Sequence, residues 1–280
     1  MTSALALPQP AGPFTTFCRE FLAFGLKEAR ACVFAGLFFV VLGLSTKLPL
    51  GSLPRYDFIL LMALAIQAIL ISLRVETWDE VKTISLFHLL GFALEVFKTS
   101  PAIHSWAYPE FAYSKVFGVP FYSGFMYAAV ASYLMQAWRL LDVRLTNYPS
   151  YNLSLPLCLG IYLNFFTHHF IIDLRWPLAA ATVFIFRRTR VYFRPIGVAR
   201  WMPLPLSFVL IGFFIWLAEN IATFFHAWQY PHQKHGWAMV DWGKFSSWSL
   251  LVIISFIVIA DLKHYKTHLQ HKADRNDAAA

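Results

Sequence analysis

At 280 residues, with 58% hydrophobic and only 14% charged side chains, the chain carries more apolar surface than a soluble fold of its size can hide; soluble domains run at roughly 45–50% and 25%. Its formal charge of +8 is spread between apolar segments and not gathered on one face, which sets nucleic-acid binding aside. What remains is an integral membrane protein in contact with a lipid bilayer, and the 18% of Phe, Trp and Tyr suits rings anchored at both membrane interfaces.

Residues 1–30 form a polar lead containing Arg19, Glu20, Lys27, Glu28 and Arg30, in which 14–28 is mildly amphipathic and fits an interfacial helix on the cytoplasmic side. The first long apolar run begins near residue 31, too late for a cleavable signal peptide, and none is expected. A span needs about 20 residues. Such segments are read at 31–46, 56–73, 83–98, 119–138, 153–172, 174–187, 203–225 and 245–262, the sixth being short and following its neighbour with almost no turn. The expected class is all-α, a polytopic transmembrane helix bundle of about eight spans, with 31–145 and 150–265 as its two halves. The tail 266–280 is expected to be a disordered cytoplasmic segment.

Eight spans return both termini to one side, and the basic residues choose which. With both termini cytoplasmic, 16 Lys and Arg fall in inner segments and 7 in outer ones, the asymmetry of the positive-inside rule. The run RRTRVYFR at 187–194 contributes most, with no acid to offset it. RVETWDEVK at 74–82 is read as a short solvated inner loop, with Asp79 or Glu80 opening the next helix.

One phrase is written twice. HSWAYP at 104–109 returns as HAWQYP at 226–231, both on the predicted outer side and four spans apart. The likeness extends to Glu95-x-x-x-Thr99 and Glu219-x-x-x-Thr223 upstream, and to FYS at 121–123 and FSS at 245–247 downstream. A duplicated four-helix unit arranged as a parallel repeat produces this order.

Glu95 and Glu219 lie in largely apolar surroundings, about two turns inside the outer ends of their helices. A carboxylate there must face the bundle interior and be paired or protonated. If the halves pack about a pseudo-twofold axis, both acids approach one central cavity, where they would serve as catalytic proton donors to a buried apolar substrate. Lys98, three residues after Glu95, is placed to pair with it, and Asn220 adjoins Glu219 on another face. A second reading stays open, in which each Glu is a helix-to-helix hydrogen-bonding device with its Thr at i+4. The aromatic phrase divides the same way. Trp106, Tyr108, Trp228 and Tyr230 either anchor the membrane interface or contact a ligand, and His104 and His226 either move protons or meet water.

Histidine invites a metal reading as well. His104, His168, His169, His226, His232 and His235, with Asp173, share the predicted outer side, but THHFIID and HQKH do not reproduce the regular boxes of membrane oxygenases. No metal site is assigned and no cofactor is expected. His264, His268 and His271 have helical spacing on the opposite side and read as a solvated helix end. Cys18, Cys32 and Cys158 show no motif spacing and no disulfide framework. Phosphate loops, nucleophile elbows and Cys-x-x-Cys pairs are missing, so hydrolase and ATPase roles of the soluble type are set aside.

GFALEVFKTSPAIHSWAYPE, ENIATFFHAWQYPHQKHGW and WGKFSSWSLL resemble the YoaT-like family of bacterial integral-membrane proteins, over nearly the whole chain apart from both tails. The resemblance implies a multi-pass protein of the bacterial plasma membrane and brings no activity with it. A weaker likeness, to membrane carotenoid hydratases and small-subunit lycopene cyclases, would make Glu95 and Glu219 acids toward a polyene or isoprenoid chain. Three functions are therefore weighed. The first is an acid–base enzyme of lyase or isomerase type on an apolar lipid or isoprenoid. The second is a small-molecule transporter with two pseudo-symmetric halves, and the third a histidine-dependent metal oxidoreductase.

Overall fold

The computed structural model describes residues 12–277, with side chains as far as residue 263. The helices are α1 (Pro13–Ala31), α2 (Val33–Ser45), α3 (Arg55–Ser72), α4 (Trp78–Thr99), α5 (Ser123–Leu140), α6 (Tyr151–Thr167), α7 (Arg175–Phe186), α8 (Leu204–Phe224) and α9 (Gly243–Asp277). Each of the eight apolar segments is therefore a helix, and α1 occupies the lead. Three helices, α3, α8 and the Gly243–Lys263 part of α9, are long and apolar enough to cross a membrane, and the pair α1–α2, bent by 64°, makes a fourth if counted as one broken span. α7 falls short, because 12 residues rise about 18 Å against a hydrocarbon core of about 30 Å. α9 continues as helix to Asp277, so the tail expected to be disordered from 266 is helical as far as that residue. The side chains of His264, His268 and His271 lie outside the described part.

The outward faces are apolar. Leu61, Leu64 and Ile69 on α3, and Val209, Phe214 and Ile221 on α8, are exposed. Rows of large apolar side chains on the outside of a helix mark a surface that meets lipid or another apolar partner. On α1 the exposed residues are Phe14, Phe17, Phe21, Leu22 and Leu26, while Glu20 pairs with Arg200 at 2.9 Å and Lys27 donates to the Arg194 carbonyl at 2.8 Å.

Two small sheets correct the all-α expectation. β1 (Lys115–Val116) and β2 (Val119–Pro120) form a hairpin whose two turn residues, Phe117 and Gly118, both have positive φ, at 53° and 80°. That is the backbone of a type I′ turn. The hairpin takes the first residues of the segment read as 119–138, and α5 starts only at Ser123. β3 (Arg144–Thr146), β4 (Arg190–Phe193) and β5 (Arg200–Pro203) form an antiparallel sheet in the order β3-β4-β5, with Val191 between Leu145 and Met202. The basic run at 187–194 contains β4, with Arg190 lying 4.2 Å over the Trp201 ring.

The turn 73–77 also departs from a solvated loop. Thr77 and Glu80 close a capping box on α4, as a Thr-x-x-Glu start should. Glu76 is buried, taking hydrogen bonds from Gln67 and Ser132, and Arg139 reaches the Val75 carbonyl at 2.5 Å.

The loops collect at two ends. Those after α3, α5 and α7 meet one another and α1. Those after α2, α4, α6 and α8 meet at the other end, where Arg55 donates to Glu110 and to the carbonyls of Phe225 and His226 just past α8. Between them a continuous core runs through Phe34, Phe38, Tyr56, Ile59, Tyr122, Phe208 and Ile257.

The α4/α5 contact is close because Gly91 offers no side chain, and a Cβ there would overlap the Tyr127 ring. That ring cannot swing away without breaking its hydrogen bond to Glu95. Gly91→Ala should therefore lower stability by about 1–3 kcal/mol, read as a lower melting temperature of the detergent-solubilised protein. An unchanged melting temperature would show that α4 and α5 are free to separate.

Candidate functional site

The repeated phrase begins where a helix stops. His226 follows α8 with φ 55°, its N–H bonding to the Thr223 carbonyl and that of Ala227 to the Ala222 carbonyl, the two bonds of a Schellman ending. His104 has φ 49° after the longer turn that closes α4. Histidine is among the residues that tolerate this left-handed backbone. Both residues are exposed, and neither lines the cavity that the glutamates share. The structure places His104 and His226 at left-handed turns on the surface, where their rings meet water.

Three residues later the phrases touch. Ala107 and Gln229, equivalent positions of the two copies, pair as an antiparallel bridge, each N–H donating to the other's carbonyl at 2.9 Å. Trp106 and Tyr230 meet edge to face across the same junction, their centroids 6.0 Å apart.

The phrase then turns its aromatic donors onto the acids. Glu95 accepts from Trp106 Nε1 at 2.7 Å, from the Tyr108 hydroxyl at 2.7 Å and from the Tyr127 hydroxyl at 2.8 Å. Glu219 accepts from the Tyr230 hydroxyl at 2.5 Å and from Trp248 Nε1 at 2.5 Å. Both glutamates are 2% exposed, so each sits where an unsatisfied carboxylate would be very costly. Burial first, and the adjacent carboxylate next, push the phenols of Tyr108 and Tyr230 well above their ordinary range, which keeps them protonated as donors. Thr99 and Thr223 bond back to the backbone carbonyls of Glu95 and Glu219 at 2.9 and 3.0 Å and leave the carboxylates alone.

Both glutamates line one cavity of about 170 Å³. Its apolar wall includes Leu94, Met126, Phe165, Leu250 and Leu251. Lys98, His168, His169, Arg175 and Lys244 also line it, as do Trp106, Trp228, Tyr230 and Trp248 and the polar Ser105, Asn164 and Ser247. Tyr108 supports Glu95 from behind and does not line the space. Asn220 does not line this cavity; it donates to the Trp216 carbonyl and accepts from Val240 N–H, both at 2.9 Å, which brackets the following loop.

Lys98 corrects another expectation. Its ammonium does not pair with Glu95, but lies 2.7 Å from His169 Nε2 and 3.4 Å from His168 Nε2. The Glu95 oxygens are already taken by the phrase. His168 directs Nδ1 to the Asn164 carbonyl at 2.7 Å. Among the described residues no group of three or more His, Cys, Asp and Glu side chains is placed to hold a metal ion, which leaves the oxidoreductase alternative without a ligand set.

The family described as "Protein of unknown function (DUF817)" matches residues 20–256, a stretch containing both phrases and both glutamates. The chain belongs to the DUF817 family. The uncharacterized protein YoaT of Bacillus subtilis (strain 168) is 50% identical over 260 residues, covering 93% of this DUF817 chain and 98% of YoaT. No solved structure matches the chain.

Several residues of the DUF817 site escape a search for repeats. Tyr127 lies on α5 and Trp248 on α9, beyond the matched Phe-x-Ser entries and at non-equivalent positions. Lys244 and Arg175 read as ordinary outer-side charges. Their signal is weak but real: each is a polar residue within the first two turns of a helix whose neighbours are apolar.

Proposed function

We propose that this DUF817 chain is an eight-span protein of the bacterial plasma membrane, built from two related halves with both termini cytoplasmic. In this reading it performs acid–base chemistry on a small molecule held between the halves. The observation that carries the chemistry is that the two repeated glutamates border one cavity, each held by the tyrosine of its own phrase. Tyr–Glu pairs of this kind can pass a proton to and from a ligand without either group leaving its place. The alternation of contacts between the two ends, and the excess of basic residues at the end that holds β3–β5, support the even span count. The reciprocal Ala107–Gln229 bridge supports a pseudo-twofold relation of the halves.

The volume narrows the substrate. A cavity of about 170 Å³ falls below the roughly 300–1,000 Å³ of sites for drug-sized ligands. It accommodates a small molecule or the end of a chain, and an isoprenoid would enter by one terminus only.

Cells expressing the wild type should show a small metabolite made or consumed that cells expressing Glu95→Gln or Glu219→Gln do not. The amide keeps most of the hydrogen bonds but carries no ionisable proton. Identical metabolite extracts from wild type and both variants, with all three proteins folded, would refute the enzyme reading. The two-halved construction also favours a second reading, a permease, for which substrate-dependent flux in proteoliposomes is the direct measurement.

A further inference from the structure

We propose that the cavity is a binding site for a small organic carboxylate, whose oxygens are taken by the ammonium groups of Lys98 and Lys244 while its apolar body lies against Leu250, Leu251 and Met126. This rests on the reading above only in that the cavity holds a ligand.

Hydrogen-bonding demand carries the proposal. An ammonium has three donors and no acceptor, and burying it without acceptor oxygens is unfavourable. Lys98 is 5% exposed, and its partners are two imidazole nitrogens. Lys244 has no hydrogen-bond acceptor among the described residues. It faces the Trp106 and Tyr230 rings, at 5.2 and 4.8 Å from their centroids. Neither lysine forms an ion pair among the described residues, whereas Arg175, on the same wall, is held by Asp173 at 3.2 Å.

The two glutamates do not meet this demand. Neither is hydrogen-bonded to a lysine: their oxygens accept from five aromatic donors, Trp106, Tyr108 and Tyr127 on Glu95 and Tyr230 and Trp248 on Glu219. Neither lysine therefore has an oxygen as hydrogen-bond partner within the cavity, although both lie beside groups that line it. A carboxylate supplies two acceptor oxygens and forms charge-assisted bonds with ammonium groups. Leu94, Met126, Phe165, Leu250 and Leu251 make much of the remaining lining apolar, so the rest of the ligand is too. A dry apolar cavity of about 150 Å³ holds benzene, which sets the size of the ligand on the order of six to ten non-hydrogen atoms.

Binding can be read directly, because Trp106, Trp228 and Trp248 line the cavity and report occupancy by fluorescence. The probes are benzoate and 2-methylbutyrate, against benzamide and benzylamine of the same shape and against inorganic phosphate. With detergent-purified full-length protein, the two carboxylates should quench saturably. The amide and the amine should bind at least about tenfold more weakly, the worth of one charge-assisted hydrogen bond, and phosphate should not compete. Lys244→Gln and Lys98→Gln should each weaken benzoate by a similar factor, and Lys244→Arg should restore most of the loss. Should either glutamine variant fail to fold, the wild-type preference for acid over amide decides alone. Equal binding of benzoate and benzamide would overturn the anion assignment and leave the ligand cavity standing, as would competition by phosphate alone. No saturable response to either acid would overturn it outright. Binding that persists in Glu95→Gln while metabolite extracts stay unchanged would instead sink the acid–base reading and spare the carboxylate site.

Discussion

Glu95→Ala should destabilise the protein by about 3–5 kcal/mol, the range for removing one partner from a buried charged network. Three donors converge on that carboxylate, from Trp106, Tyr108 and Tyr127. Each is left unsatisfied by alanine at roughly 1–3 kcal/mol. The indole can only donate, so Trp106 has no way to repair its loss. A phenol can both donate and accept, which makes glutamine the informative comparison. In Glu95→Gln the amide oxygen can take the bonds from Trp106 and Tyr108, and the amide N–H can donate to the Tyr127 oxygen. That variant should lose only about 1 kcal/mol, the net worth of an ordinary hydrogen bond. Denaturant or thermal unfolding in detergent measures both. If alanine and glutamine prove equally mild, the donors are satisfied by water and Glu95 does not organise the loop after α4.

That expectation also explains which parts of the site could be read from sequence. The glutamates and the Trp-x-Tyr phrase were legible because the same physical arrangement, an acid inside a helix and its donors on the next loop, is written twice. Tyr127 and Trp248 were not, since each half recruits its remaining donor from a different turn of the following helix. Spacing suggested a Lys98–Glu95 pair, yet side-chain direction decided otherwise: Glu95 faces the loop and Lys98 faces α6. The histidines repeat for a backbone reason, visible only once φ is known. In the fold, long apolar segments gave their helices directly, as the hydrophobic effect dictates. The strands escaped because their residues are basic and short-range alternation is weak in RRTRVYFR. Pairing with Arg144–Thr146 and Arg200–Pro203 is a tertiary contact that no local pattern announces.

A disulfide between the two phrases should form readily and separate the two functional readings. Ala107 and Gln229 exchange both backbone hydrogen bonds, which puts Cα atoms about 5.5 Å apart in such a pair, inside the 4.4–6.8 Å range that disulfides occupy. Ala107→Cys with Gln229→Cys, in a background with Cys18, Cys32 and Cys158 replaced, should cross-link nearly completely under mild oxidation. Closing so long a loop should raise stability by about 2–4 kcal/mol, and mass spectrometry of the peptides identifies the bond. Failure to cross-link would show that the phrases do not meet. The oxidised protein then tests function. An enzyme that works inside a fixed cavity keeps its activity when its halves are tied at their outer junction, because Glu95, Glu219 and their donors are not displaced. A permease that opens outward by parting those same halves is arrested by the bond and released by reductant. Activity that survives oxidation therefore selects acid–base chemistry in place, and activity that returns only with reductant selects transport.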